Sequence, residues 1–507
     1  MTELAIKKAK TEEGEEVIVN TDKQEVQDVE NITFEDMPLS HRAQKGISSM
    51  GFTHPTPIQT LAIPPALLGK DILGAAKTGS GKTLAFLLPA LETLNAARFS
   101  ARNGTGALII TPTRELALQI YSVATELCQH FTQTFGLVAG GMNINVEKEK
   151  LSKGVNLLIA TPGRLIDHLR NSRDTGFKLD NLKVLILDEA DHLLDPGFEE
   201  ELRQVVSLLP DKHTHPRQTM LFSATQSKKI SELAAETLNK ETVVYVNPEQ
   251  DEDAATANNL KQGFTFVEPH NRLLLLLKII TKFRRKKIMV FFSSCASVKY
   301  HYELFNYAYK DDTCNFYQLH GQMKQKRRTS TFFEFCNTDR GVLMCTNVAA
   351  RGLDFPDVDW IVQYDPPADI RDYIHRVGRT ARAGKAGKAI VFLMPHETGF
   401  LELLKQKNID LVKYELNEKL PVKLGEYLKD MVSESYALSK SATDSYRSFI
   451  LAYNSHSFKS IFDINALDLA SISESFLLNV PPNVSLPAYN KKQQRRKRRG
   501  GPRNQRR

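Results

Sequence analysis

Short runs of branched apolar residues recur along this chain, separated by stretches whose apolar positions repeat at helical spacing. Val184–Leu187 places four such residues in a row. A run of that kind reads as a strand covered on both faces, as in a parallel sheet flanked by helices. Upstream, an apolar segment at 71–74 leads through a glycine-containing loop into a helical stretch at 84–94. The second half repeats the pattern, with strand candidates at 288–292, 316–319, 342–345, 360–363 and 389–393 and helix-like stretches such as 298–309. The alternation predicts an α/β fold of two doubly wound parallel-sheet domains. Beyond them Tyr446, Phe449, Ile450 and Tyr453 fall at i, i+3, i+4 and i+7, and Phe458, Ile461 and Phe462 continue an apolar face. That spacing predicts a helical C-terminal extension packed on the second domain, with a separate partner-binding module as the alternative.

Two strand-to-helix junctions carry chemistry. Between 71–74 and 84–94 stand Ala76, Lys77, Thr78, Gly79, Ser80, Gly81, Lys82 and Thr83. Glycines let backbone N–H groups turn toward a β-phosphate, and the helix N-terminus adds its dipole. Lys82 can then reach the β/γ oxygens, and the Thr83 hydroxyl can ligate Mg²⁺. The strict pattern has glycine at position 76, where this chain has alanine. The run 184–187 ends on Asp188, Glu189, Ala190 and Asp191. Acidic residues after a strand also suit a solvated loop or a helix start. Paired with a phosphate loop, Asp188 suits the second metal partner, and Glu189 is available to orient or deprotonate an attacking water.

With these motifs in place the chain resembles the DEAD-box ATP-dependent RNA helicases, over about residues 34–395. The resemblance implies two RecA-like domains, ATP and Mg²⁺ as cofactors, and RNA-dependent ATP hydrolysis. Phe34 and Gln59, the latter closing GFTHPTPIQ at 51–59, resemble the adenine-reading element. Pro112, Thr113 and Arg114, then Gly140 and Gly141, then Thr161, Pro162, Gly163 and Arg164 resemble segments that grip the RNA backbone. Ser223 and Thr225 resemble the segment coupling hydrolysis to RNA rearrangement, to which Asp191, or alternatively its link to His375, would connect. In the second half His320, Gly321, Gln325 and Arg328, then Thr346, Gly352 and Asp354, then His375, Arg376, Arg379 and Arg382 match in order. By resemblance Asp354 meets the ribose, Arg328, Thr346 and Gly352 meet RNA, His375 belongs to the catalytic set, and Arg379 and Arg382 are arginine fingers. Such a finger contributes roughly 10³ to 10⁵ in rate, so hydrolysis is expected only when ATP and RNA hold the domains closed. RNA fits better than duplex DNA because the 2′-hydroxyl is available as a discriminator. One position departs: the family's Thr-Asp is here Thr346 and Asn347, which keeps a hydrogen-bonding oxygen, loses the charge and bears on interdomain coupling.

The length of 507 residues exceeds what one core usually covers. The expected organisation is an acidic disordered segment at 1–30, an ATP-binding domain at 31–249, a linker at 250–259, a second helicase domain at 260–400, the helical extension at 401–480 and a disordered basic tail at 481–507. Five cysteines form no Cys-x-x-Cys pair, which points to a reducing compartment. No apolar signal region opens the chain and no apolar run approaches 18 residues, so secretion and membrane insertion are not expected. The formal charge of +8 is concentrated in 491–507 (KKQQRRKRRGGPRNQRR), which holds ten basic residues and no acid. Such a run gains affinity for phosphates by counterion release and can also serve as a nuclear or nucleolar address or as a solubilising tail. The wording of 446–453 (YRSFILAY) and 458–464 (FKSIFDI) resembles the extension of nucleolar DEAD-box helicases that act in ribosome assembly. That resemblance implies pre-rRNA, possible small nucleolar RNA and pre-ribosomal proteins as partners, with a monomer outside assemblies. Three readings remain at this point: an RNA-remodelling ATPase, an ATP-gated RNA clamp, and a nonenzymatic scaffold, the last opposed by the intact Lys82, Asp188, Glu189, Arg379 and Arg382.

Overall fold

The computed structural model describes residues 32–76, 79–171, 177–248, 259–309, 314–349, 353, 355–381, 385–415 and 420–485, together with the backbone of 8–10 and 16–18. Of the acidic lead-in, the strands β1 (Lys8–Lys10) and β2 (Glu16–Ile18) pair antiparallel where charge bias predicts a disordered segment. The linker at 250–258 and the tail at 486–507 lie outside the described residues. The chain divides into two compact units, the first built on Met1–Glu252 and the second on Asp253–Ala350 and Phe355–Arg507.

The first unit holds β3 (Ile72–Ala75), β4 (Ala107–Ile110), β5 (Phe135–Val138), β6 (Leu157–Ala160), β7 (Val184–Leu187), β8 (Gln218–Ser223) and β9 (Val244–Val246). They form one sheet in the order β5-β6-β4-β7-β8-β3-β9, parallel throughout. Alternate residues of each central strand enter different cores. Ile109, Ile159 and Ile186 join the cluster on one face, while Leu108, Leu158 and Leu185 join the cluster on the other. This two-sided burial is why the strands read as unbroken apolar runs. Asp71 pins the start of β3, accepting from Thr219 N at 2.8 Å and Asn239 N at 2.6 Å.

The second unit repeats the plan with β10 (Leu260–Phe266), β11 (Lys287–Phe291), β12 (Phe316–Leu319), β13 (Gly341–Cys345), β14 (Trp360–Gln363), β15 (Gly387–Leu393) and β16 (Val412–Lys413). Their order is β12-β13-β11-β14-β15-β10-β16, again parallel. The strand β10, LKQGFTF, carries no apolar run and is absent from the sequence expectation. The expected boundary at 400 falls inside the helix Gly399–Lys405, and the sheet continues to β16 at its edge.

The extension is part of this unit's core. Its helix Tyr436–Asn454 buries Tyr446, Phe449, Ile450 and Tyr453. It meets the helix Cys295–Ala308 through Ser445 Oγ and Ser297 Oγ at 3.2 Å and through Ser441 Oγ, which donates to Glu303 Oε2 at 2.7 Å. Phe476, 1 % exposed, lies 6.1 Å from the Tyr300 ring and 5.9 Å from the Phe449 ring, and its carbonyl accepts the Tyr300 hydroxyl at 2.8 Å. Tyr453 donates to Glu397 Oε1 at 2.9 Å, and burial pushes the Glu397 carboxyl up to about 7. Among the described residues no helix is long and apolar enough to cross a membrane. Phe476→Ala is expected to cost about 3–5 kcal/mol of the second unit's stability; a denaturant midpoint equal to wild type would show that the extension is not part of that core.

Candidate active site and nucleic-acid interface

Parallel strands bring all their carboxyl ends to one edge, and three of them assemble the nucleotide half. The phosphate loop leaves β3, with Ala76 N donating to Ser223 O at the end of β8 at 3.0 Å. It turns through Gly79 and Gly81, both at positive φ, into the helix Lys82–Ala96. A Cβ on Gly81 would come within 2.6 Å of Gln59 Nε2, so glycine is needed there for close approach as well as for φ. Gln59 spans the junction, accepting from Thr56 N at 2.8 Å and donating to Gly81 O at 2.9 Å. Phe34 is buried in the adjoining core. Lys77 and Thr78 lie outside the described residues.

Lys82 Nζ donates to Ala76 O at 3.0 Å and stands 3.4 Å from Glu189 Oε1. Asp188, Glu189 and Asp191 are each 3 % exposed. Burial pushes the Asp188 carboxyl up to about 7, Lys82 opposes the shift, and Glu189 and Asp191 add to it. Glu189 has φ 53, a left-handed conformation more usual for glycine, and its N–H donates to Asp188 Oδ1 at 3.0 Å. Strain of that kind costs on the order of 1–3 kcal/mol and concentrates at working sites. Asp191 accepts from Thr225 Oγ1 at 3.0 Å, while Ser223 Oγ donates to Thr225 O at 2.7 Å. The half-buried Thr83 hydroxyl and the Asp188 carboxylate are hard oxygen donors of the kind Mg²⁺ takes, and the buried Ser80 Oγ has no hydrogen-bond partner. Among the described residues no cluster of three or more acidic, His or Cys groups could hold a metal alone.

Three further strands of this sheet build a groove. Pro112 and Arg114 after β4, Gly140 and Gly141 after β5, and the segment 161–164 after β6 line one cavity of about 380 Å³. Thr113 lies just outside it as the N-cap of the helix Arg114–Leu127, accepting from Leu116 N at 3.3 Å. A Cβ on Gly140 would lie 2.5 Å from an Arg114 guanidinium nitrogen, so that glycine lets the cation rest on the loop. Arg164 donates to Glu147 Oε2 at 2.7 Å, and His168 Nε2 bonds the same oxygen at 2.8 Å. Burial alone would raise the Glu147 carboxyl; the bonds from His168 and Arg164 outweigh it and hold it below its ordinary range. Glu147 and His168 position Arg164 and were missed in the sequence, where they lie 21 residues apart. Asp167, Phe198 and Glu201 also line the cavity and were likewise not candidates.

Comparison with known proteins adds the decisive observation. The DEAD/DEAH box helicase model matches 56–233, the helicase conserved C-terminal domain matches 271–384, and the C-terminal extension of SPB4-like ATP-dependent rRNA helicases matches 435–484. The ATP-dependent RNA helicase has1 of Schizosaccharomyces pombe is 53 % identical over 469 residues, covering 92 % of this chain and 79 % of its own. HAS1 of Pyricularia oryzae is 52 % identical over 454 residues, covering 89 % and 75 %. The chain belongs to the DEAD-box ATP-dependent RNA helicases. Among solved structures this helicase is similar to Mss116p bound to single-stranded RNA and AMP-PNP, with TM-score 0.81, 28 % identity and coverage of 93 % and 96 %. It is also similar to Dbp5 of S. cerevisiae bound to RNA and ADP BeF₃, with TM-score 0.67, 25 % identity and coverage of 79 % and 99 %.

In the helicase's second domain the candidates again gather at the carboxyl ends of strands. Thr346, after β13, donates its N–H to Leu319 O at 3.2 Å and lines a cavity of about 370 Å³ with Gly321. Arg328 lies on the helix Gln325–Cys336; burial lowers the His320 imidazole, and the Arg328 charge adds to the shift. His375 and Arg376 are buried on the helix Ile370–Val377, and Arg379 Nε donates to His375 O at 3.1 Å. Gly352, Asp354 and Arg382 lie outside the described residues. Asn347 accepts from Arg376 Nε at 2.8 Å and donates to Asp372 Oδ2 at 2.8 Å. An amide meets both partners, whereas aspartate would set a second carboxylate against Asp372.

Since the folded Asp188 carboxyl titrates above its unfolded value, the folded domain binds the extra proton between about pH 4 and 7. Stability of the nucleotide-free domain therefore falls as pH rises through that window. Asp188→Asn is expected to flatten this slope in melts taken across it; an unchanged slope would remove Asp188 as its source.

Proposed function

We propose that this RNA-dependent ATPase remodels structured pre-ribosomal RNA during ribosomal subunit assembly, working in the nucleus and nucleolus with pre-ribosomal proteins. The observation that carries the reading is the extension at 435–484, similar to that of SPB4-like rRNA helicases and built into the core of the second domain. The relatives named HAS1 support the helicase activity. The basic tail at 491–507 supports both RNA tethering and the nucleolar address.

In this reading the phosphate loop and Lys82 hold the triphosphate, and Thr83 and Asp188 would hold Mg²⁺, which would supply positive charge against the phosphates. Lys82 exchanges the Ala76 carbonyl and Glu189 for phosphate oxygens, which leaves Glu189 to take a proton from the attacking water. Arg379 and Arg382 serve as arginine fingers, and Asp191 with Thr225 and Ser223 relays the state of the nucleotide. Arg114, Arg164 and the amides after β5 and β6 grip the sugar-phosphate backbone without reading bases.

Glu189→Gln is expected to lower RNA-stimulated turnover by at least about 10³-fold, a loss in the range of key phosphoryl-transfer groups, while ATP and RNA still bind together. Loss of both bindings would take Glu189 out of the catalytic role. Deleting 491–507 is expected to weaken RNA binding and flatten its dependence on salt; an equal salt slope would remove the tail as a tether. Duplex displacement measured with ATP and with a nonhydrolysable analogue tests remodelling itself, because stable RNA retention without displacement would indicate a clamp. Sequencing RNA crosslinked to the protein in cells tests the pre-rRNA assignment.

A further inference from the structure

The groove after β4, β5 and β6 contains a carboxylate at a position that favours phosphate. Glu201, on the helix Glu199–Leu208, lines the same cavity as Arg114 and Arg164. Its carboxylate lies against the backbone of Gly163, with its two oxygens 3.1 and 3.2 Å from where a Cβ on Gly163 would stand. Gly163 opens the nine-residue helix Pro162–Arg170, whose N-cap Thr161 makes no side-chain capping bond. Glu201 therefore supplies from a neighbouring helix the acceptor that a capping side chain would provide. A backbone phosphate seeks the same amide and the same positive end of the dipole. The carboxylate is not paired with the nearby arginine: Arg164 is bonded to Glu147 and to Met142 O. Asp167, on the groove's other helix, adds negative charge close by.

We infer that Glu201 is a built-in competitor of RNA, holding the Gly163 amide until a phosphate displaces it and so lowering RNA affinity and easing release of the strand. The inference rests on assigning this groove to the RNA backbone. A carboxylate and a phosphate cannot share one N–H donor, and their like charges repel across the cavity. Every RNA-binding event then includes the swing of Glu201 away from the helix end. A carboxylate retained there as a plain cap would instead make RNA binding depend on its presence, because losing the cap loosens the segment that grips the strand.

Glu201→Gln keeps the size and one acceptor oxygen while removing the charge. Binding of a short single-stranded oligouridylate, followed by fluorescence anisotropy with a nonhydrolysable ATP analogue, is expected to tighten about two- to fivefold, the scale of one charge at a helix terminus. The RNA concentration for half-maximal ATPase should fall by the same factor. If the glutamine variant is unstable in a thermal melt, Glu201→Ala in the same assay tests the same loss of charge. Unchanged or weaker binding, in a protein whose Arg114→Ala variant loses RNA affinity, overturns the competitor and leaves the groove assignment standing. If Arg114→Ala changes nothing, the groove assignment and the competitor fall together.

Discussion

Parallel pairing sets the layout of the first domain. Strands that run in one direction place every carboxyl end on one edge of the sheet, where loops are free of the ladder and can face ligands. The order β5-β6-β4-β7-β8-β3-β9 divides that edge. On one side β3, β7 and β8 deliver the phosphate loop, the three carboxylates of 188–191 and the Ser223 segment; on the other β4, β5 and β6 deliver the groove. Adjacent β4 and β7 join the halves, with Asp188 N donating to Ile110 O at 3.0 Å. A one-residue slip of any central strand would turn its buried side chains to the opposite core, so hydrophobic packing fixes the position of Asp188 as firmly as any polar bond does.

The charges at this edge are costly. Asp188, Glu189 and Asp191 are buried within four residues of chain, and Lys82 is the cation bonded to Glu189. The backbone at Glu189 is bent into the left-handed region, and burial keeps Asp188 partly protonated near neutrality. Such an arrangement is poorly suited to stabilising a fold by itself, since desolvation opposes what ion pairing returns. It suits a site whose excess negative charge is offset by a bound cation. The same economy operates in the groove, where Glu147 neutralises and orients Arg164 and where Glu201 occupies a helix end that favours anions.

The second domain applies the same topology to a different task. Its sheet has no phosphate loop, and its polar residues serve to lock one helix, Ile370–Val377, against the strand ends through Arg376, Asn347, Asp372 and Asp365. Asn347 is the residue that departs from the family pattern, and its amide fits a donor and an acceptor at once. The extension packs against this lock, with Phe449 and Tyr453 lining the same cavity as Asn347, Asp365 and Arg376. Residues that might have formed a separate module thus share a core with the helix Cys295–Ala308.

Much of the site was legible in the chain because local chemistry is written locally. A phosphate loop, three carboxylates after an apolar strand and the basic segment from His375 to Arg382 each need residues close in sequence, and their order along the chain reflects strand-loop-helix connections. Val184–Leu187 and several strands of the second half were legible for the same reason, since two-sided burial demands unbroken apolar runs; β10 escaped because only part of it is covered. What the sequence could not contain was adjacency between distant segments. The bond from Arg164 to Glu147, the seat of Glu201 at Gly163, the use of Gln59 to clasp Gly81 and the fit of Asn347 between Arg376 and Asp372 all depend on which strands lie side by side and how the intervening helices pack. Sequence determined which groups are present and which turn each would occupy. Tertiary structure decided their partners, because only the packed sheet sets the distances over which charges and hydrogen bonds act.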